Sequence, residues 1–142
     1  MHVAREGGEP IETVSARRQK GYSHLLRAGR HTLLADEPKS RGGSDTGATP
    51  DELLALSLAS CTAITIEMYA DRKGWGLGEI EVTVDYGAHE GGRPRYDVLV
   101  KVPEELSDEQ RERLRAIAGK CPIHTILLGK ATITDQVETR SV

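Results

Sequence analysis

The sequence predicts a mixed domain of antiparallel strands and helices: a three-strand meander, one long helix, a strand hairpin and two shorter helices. Three observations carry that reading. Short β-branched runs separated by Gly-bearing turns open the chain. One unbroken helical periodicity follows, from Pro50 to about Lys73. Two alternating apolar–polar runs, split by a turn, lie beyond it.

Residues 1–10 are Gly-rich and charged and are expected to form a loose arm. Ile11 to Arg18 reads as the first strand, Gly21 as a turn, and Tyr22 to Arg27 as the second strand. Ala28-Gly29 turns the chain into a third strand, His31 to Ala35. Pro38 to Pro50 is a long loop of Gly, Ser and Pro, and a surface loop of this length is often functional. Thr49-Pro50 reads as a helix start, with Asp51 and Glu52 at the positive end of the dipole. The helix is expected to stop at Gly74. Leu54, Leu58, Cys61, Thr65 and Met68 fall at helical spacing and are expected on its buried face, flanked by Leu53, Ser57 and Ile64. Leu77 to Tyr86 alternates as a half-solvated strand, His89 to Pro94 turns, and Tyr96 to Val102 alternates back. Ser107 to Gln110 (SDEQ) is a capping box that opens a helix ending near Gly119. Pro122 to Leu128 forms a short helix closed by Gly129, and Ala131 to Val137 is expected as a last strand.

The 142 residues suit one domain, taken as 1–142. Apolar residues make up 37 %, enough for a modest core, and with no Phe that core must be aliphatic. The net charge of −3 argues against a nucleic-acid or anionic-membrane partner, which wants a basic excess. Trp75 and four Tyr are too few for a base-stacking platform. The N-terminus lacks the apolar region of a secretory signal. The longest apolar run, Leu53 to Ala70, is broken by Ser, Thr and Glu, so it reads as a buried helix rather than a membrane span. The expected compartment is the cytoplasm.

Cys61 and Cys121 are the candidate chemistry. In a cytosolic setting a cysteine pair is more often redox-active, metal-binding or inert than a structural staple. Cys121 precedes Pro122 and so sits at a helix N-cap, where unpaired N–H groups and the dipole favour a thiolate and lower its pKa. Cys61, mid-helix on an apolar face, is expected to have a raised pKa and needs a nearby cation to react. The plainer readings stay open: Cys61 as a small buried hydrophobe, Cys121 as a cap substitute. Cys121-x-x-His124 also has the spacing of half a zinc site, but only Cys61, His2, His24, His31 and His89 remain to complete it. His124 reads as a cap or core-edge histidine.

The run ATPDELLALSLASCTAITIEMYADRKG and the later KCPIHTIL together resemble the OsmC/Ohr family of osmotically inducible and organic hydroperoxide resistance proteins, in its broader OsmC-like branch. The resemblance spans nearly the whole chain. It implies an α+β fold, with the meander and hairpin packed around the long central helix in an intertwined homodimer. It implies a thiol peroxidase that reduces organic hydroperoxides, and hydrogen peroxide more weakly, in stress defence. Cys61 would be the peroxidatic thiolate and Cys121 the resolving thiol. A dithiol, lipoyl-type in the family, would be the reductant, with no cofactor and no metal. The family's arginine maps to Arg18, with Arg17 close behind. The glutamate position holds Asp51, one methylene shorter, followed by Glu52. Ten residues of straight helix span about 15 Å. Asp51 then serves a Cys61 site only from a partner chain or through a bend. The alternative is an OsmC-like small-ligand-binding or redox-sensing protein with weak or no peroxidase activity.

Overall fold

The computed structural model describes residues 3–4, 10–88, 91–129 and 131–140. The chain divides into two compact units, residues 1–54 and 55–142. Val3–Ala4 (β1) pairs antiparallel with Pro10–Ile11 (β2). Part of the expected arm is therefore laddered, and Ile11 belongs to that pair rather than to the meander. The arm's other residues, 1–2 and 5–9, lie outside the described residues.

In the first unit Val14–Lys20 (β3), Ser23–Ala28 (β4) and His31–Ala35 (β5) form the expected antiparallel meander, in the order β3-β4-β5. Gly21 and Gly29 supply the left-handed turns, at φ +58° and +59°. The following loop is tied down by Asp36, which is 2 % exposed. Its carboxylate accepts hydrogen bonds from the N–H groups of Glu37, Ser44 and Thr46 and from the Thr46 hydroxyl, the last at 2.7 Å. The loop packs so closely on β5 that a Cβ at Gly47 would collide with the Leu34 carbonyl, and one at Gly43 with the Glu37 carbonyl.

One helix, Pro50–Lys73 (α1), continues into the second unit. Its length and composition alone would suit a membrane span. Its apolar content falls instead into two stripes. Ala55, Leu58, Thr62, Ile66, Tyr69 and Ala70 are buried. Leu54, Ile64 and Met68 lie roughly a third of a turn round and are exposed. Of the expected buried face only Leu58 is buried, because the apolar pattern has two phases and the unit's own core takes the other one. Helices Asp108–Ala118 (α2) and Pro122–Leu127 (α3) complete the helical layer. Ile66, Tyr69, Ala70, Leu77, Leu106, Leu114 and Ile117 form the core. Tyr69 joins this aliphatic set because Arg113 Nε donates to its hydroxyl at 2.9 Å.

The hairpin consists of Glu81–Ala88 (β6) and Pro94–Lys101 (β7), with Val82 opposite Val100 and Tyr86 opposite Tyr96. The first strand starts later than the expected Leu77, because Leu77 turns into the core and Gly78 takes φ +56°. The Ser107 capping box forms as expected: the Ser107 hydroxyl accepts from Gln110 N–H, and the Gln110 side chain accepts from Ser107 N–H. The expected last strand does not form, and residues 131–140 carry no regular structure. Ile133 and Val137 are 80 % and 97 % exposed. A strand needs a neighbour for its backbone groups, and among the described residues this segment pairs with none.

Candidate functional site

The second unit brings the two thiols together. Cys61 sits mid-helix on α1, half-buried, and Cys121 caps α3 with no exposed surface. Both are free. The two thiols influence each other's ionisation, Cys121 favouring the charged form of Cys61 and Cys61 disfavouring that of Cys121. Burial is the largest single influence on Cys61 and pushes its thiol up. Three hydrogen bonds, from Cys121, the Ile123 N–H and Thr65, together outweigh it, so Cys61 lies below the ordinary thiol range. Cys121 is pushed up, first by burial and then by donating to Cys61, against the pull of the His124 and Ile123 N–H groups.

This reverses the directions expected from sequence. The α3 N-terminus does favour a thiolate, but it aims the Ile123 N–H at Cys61 as well, and Cys121 spends its proton on the same sulfur. No cation contributes to the lowering at Cys61 among the described residues.

The remaining candidates fold with the first unit. Arg18 stands on β3, and its Nε donates to the Gly21 carbonyl of its own turn at 2.7 Å. Arg17 is its exposed neighbour on the strand. Asp51 is exposed in the first turn of α1. Glu52 forms a second capping box: it receives the Thr49 N–H at 2.9 Å, while its own N–H donates to Thr49 Oγ1 at 3.1 Å. Those bonds, with the Arg41 guanidinium nearby, hold its carboxyl below the usual range. Arg41 Nε in turn lies 3.0 Å from Glu37 Oε2. This box was missed, although T-P-D-E fits the same S/T-x-x-E/Q pattern as S-D-E-Q at Ser107. Asp36 was missed too, since its role depends on a loop closing around it.

Two cavities of about 450 and 510 Å³ lie side by side in the second unit, with Tyr96, Val98 and His124 in the walls of both. Thr62, next to Cys61 in the chain, lines the first, and Leu58, one turn before it, lines the second. The rest of their lining is mainly aliphatic. Among the described residues no cluster of three or more His, Cys, Asp or Glu could hold a metal. His2 and His89 of the half zinc site lie outside the described residues.

A family model described as OsmC-like protein matches residues 42–135. No curated protein matches the sequence. Solved structures do. An OsmC like protein from Mycoplasma pneumoniae aligns with TM-score 0.71 and 19 % identity, over 84 % of this chain and 88 % of that one. An organic hydroperoxide resistance protein OsmC from Legionella pneumophila gives 0.62 and 21 %, over 84 % and 90 %. The organic hydroperoxide resistance protein OhrB of Bacillus subtilis gives 0.57 and 24 %, over 84 % and 91 %. At these identities the likeness is one of fold: an α+β arrangement of antiparallel strands with a long helix. The family match covers the Gly-rich loop, α1 with Cys61, the hairpin and the Cys121 helix, and on that match the chain belongs to the OsmC-like protein family.

Proposed function

We propose that the protein is a cysteine-based peroxidase that reduces organic hydroperoxides and works as a homodimer in the cytoplasm. The observation that supports this most is the interacting Cys61–Cys121 pair, with its two thiols shifted in opposite directions. A two-thiol peroxidase needs that asymmetry: one sulfur ionised for attack, the other protonated and close by.

The Cys61 thiolate attacks the outer oxygen of the hydroperoxide. A sulfur–oxygen bond forms, the oxygen–oxygen bond breaks, and the leaving alkoxide takes up a proton to become the alcohol. The Cys61 sulfenic acid then condenses with Cys121: the sulfur–sulfur bond forms, and the hydroxyl departs with the Cys121 proton as water. A dithiol, lipoyl-type by the family resemblance, reduces this disulfide in two exchanges and is itself oxidised to a disulfide. Arg18, with Arg17 beside it, takes the role of the family's arginine, and Asp51 that of its carboxylate. With about 15 Å of helix between Asp51 and Cys61, the partner's Asp51 serves each Cys61.

Two features support the dimer. The open stripe of α1 leaves Leu54, Ile64 and Met68 exposed in the single chain. The β-branched tail at 131–137 has no strand partner among the described residues.

The test exposes reduced protein to cumene hydroperoxide and to hydrogen peroxide, following free thiols and intact mass. The expected result is loss of both thiols with a mass drop of two hydrogens, faster with the organic peroxide. Cys121→Ser should halt at a dimedone-trappable sulfenic acid, and Cys61→Ser should abolish the reaction. Thiols that oxidise no faster than a peptide thiol would overturn the reading.

A further inference from the structure

We infer that His124 is a ligand-binding residue, and that its ligand is an uncharged molecule carrying one oxygen function between two aliphatic arms. The inference deepens the proposed function. It rests on that reading only for identifying the oxygen function as a hydroperoxide or its alcohol product.

His124 is the third residue of α3, one turn on from Cys121. Its ring lines both cavities. Its Nδ1 is buried and has no hydrogen-bond partner among the described residues. A buried N–H without an acceptor is rare because it forfeits a hydrogen bond to water. When the ring carries one proton, that proton therefore belongs on Nε2. With Nδ1 sealed against protein, Nε2 is the ring nitrogen left to face the cavities, and its N–H would be a single donor in an aliphatic setting. Such a donor selects one acceptor oxygen and fixes its place.

The shape sets the rest. From His124 one cavity runs along Val100, Val102 and Leu114, and the other along Leu58, Leu127 and Leu128. A chain with a terminal oxygen fills one arm and leaves the other empty. A chain with its oxygen in the middle fills both. The first cavity's arginines are paired, Arg111 with Asp108 and Arg115 with Glu112, so an anionic head would have to compete with those carboxylates. Arg93 edges the second cavity and is the one feature that favours an anion. The bound oxygen would lie beside the segments that carry both thiols, since Leu58 and Thr62 bracket Cys61 on α1 and His124 follows Cys121 on α3.

The experiment uses alcohols, which bind without oxidising a thiol, so its outcome is independent of peroxide turnover. Isothermal titration of the reduced protein compares dibutyl carbinol, its terminal isomer n-nonanol, and nonanoate. Dibutyl carbinol should bind about tenfold tighter than either, the effect of the apolar area buried in the second arm. His124→Leu should lose about tenfold in affinity for dibutyl carbinol. His124→Gln, whose amide N–H lies near the Nε2 position, should retain it. If the Leu variant fails to fold, judged by circular dichroism, the isomer preference of the wild type and of the Gln variant still decides. Equal binding of the two alcohols, tighter binding of nonanoate, an unaffected Leu variant, or no binding because a second chain fills the cavities would each overturn the inference.

Discussion

Truncating Met68 to alanine should weaken self-association by between one and three orders of magnitude. Met68 stands on the open stripe of α1 and is 60 % exposed in the single chain. Full burial of a methionine side chain contributes about 1.5–3 kcal/mol, so covering the exposed part contributes about 1–2 kcal/mol. A twofold interface uses the same residue twice, which raises the loss to about 2–4 kcal/mol. At about 1.4 kcal/mol per factor of ten, the dimer Kd should rise roughly 30- to 700-fold. Sedimentation velocity across a nanomolar-to-micromolar dilution series reads this directly, as the concentration at which the dimer boundary gives way to the monomer. Because Met68 lies outside the core, the thermal midpoint of the isolated monomer should stay where it is. A wild-type protein that is monomeric throughout the series, or a variant whose midpoint does not move, would refute the reasoning.

Three other outcomes are expected. Cys121→Ala removes the S–H that donates to Cys61, so the Cys61 pKa should rise and its bromobimane labelling profile shift to higher pH; an unmoved profile counts against the hydrogen bond. Thr49→Ala breaks the capping box at the start of α1 and should cost about 1 kcal/mol, or about 3–6 °C in Tm by calorimetry, while Asp51→Ala, which loses only a first-turn charge on the helix dipole, should cost less. The Thr46 hydroxyl first, with the Thr46, Glu37 and Ser44 N–H groups, holds the Asp36 carboxyl below its usual range against burial. Its stabilisation is therefore present above the unfolded carboxylate pKa and lost as pH falls through the lower folded one. Asp36→Asn should flatten that acid limb in urea titrations, and an unchanged slope would contradict the assignment.

The parts of the fold that local chemistry decides were legible in the sequence. Gly21 and Gly29 mark turns because only a glycine enters those conformations freely, so the meander's strand order and turns could be drawn, its strand ends shifting by one to three residues. The Ser107 capping box was readable for the same reason. The phase of α1 was not. A helix with apolar side chains on two stripes gives no local sign of which stripe its own chain will cover, and the choice fell a third of a turn from the expected face. The tail at Ala131 has a strand's composition, but a strand is settled by its neighbour. The thiols show the limit most plainly. Position along a helix predicted one direction for each sulfur; hydrogen bonds that exist only after folding reversed Cys61, and burial first, then Cys61, reversed Cys121. His124 read as a core-edge residue because nothing in C-P-I-H announces a cavity.

The loop after β5 carries almost no repeating structure, yet one carboxylate gathers three of its amides and a hydroxyl. Such a loop has no residue-by-residue way to loosen. Each amide is held by the same two oxygens, so releasing any one means moving Asp36, and that releases the rest. Its motion is thus all-or-none, and the amides of Glu37, Ser44 and Thr46 should show one common protection factor against deuterium exchange. The loop also leads directly into the Thr49 cap, so the first turn of α1 inherits its order from a side chain that touches none of it.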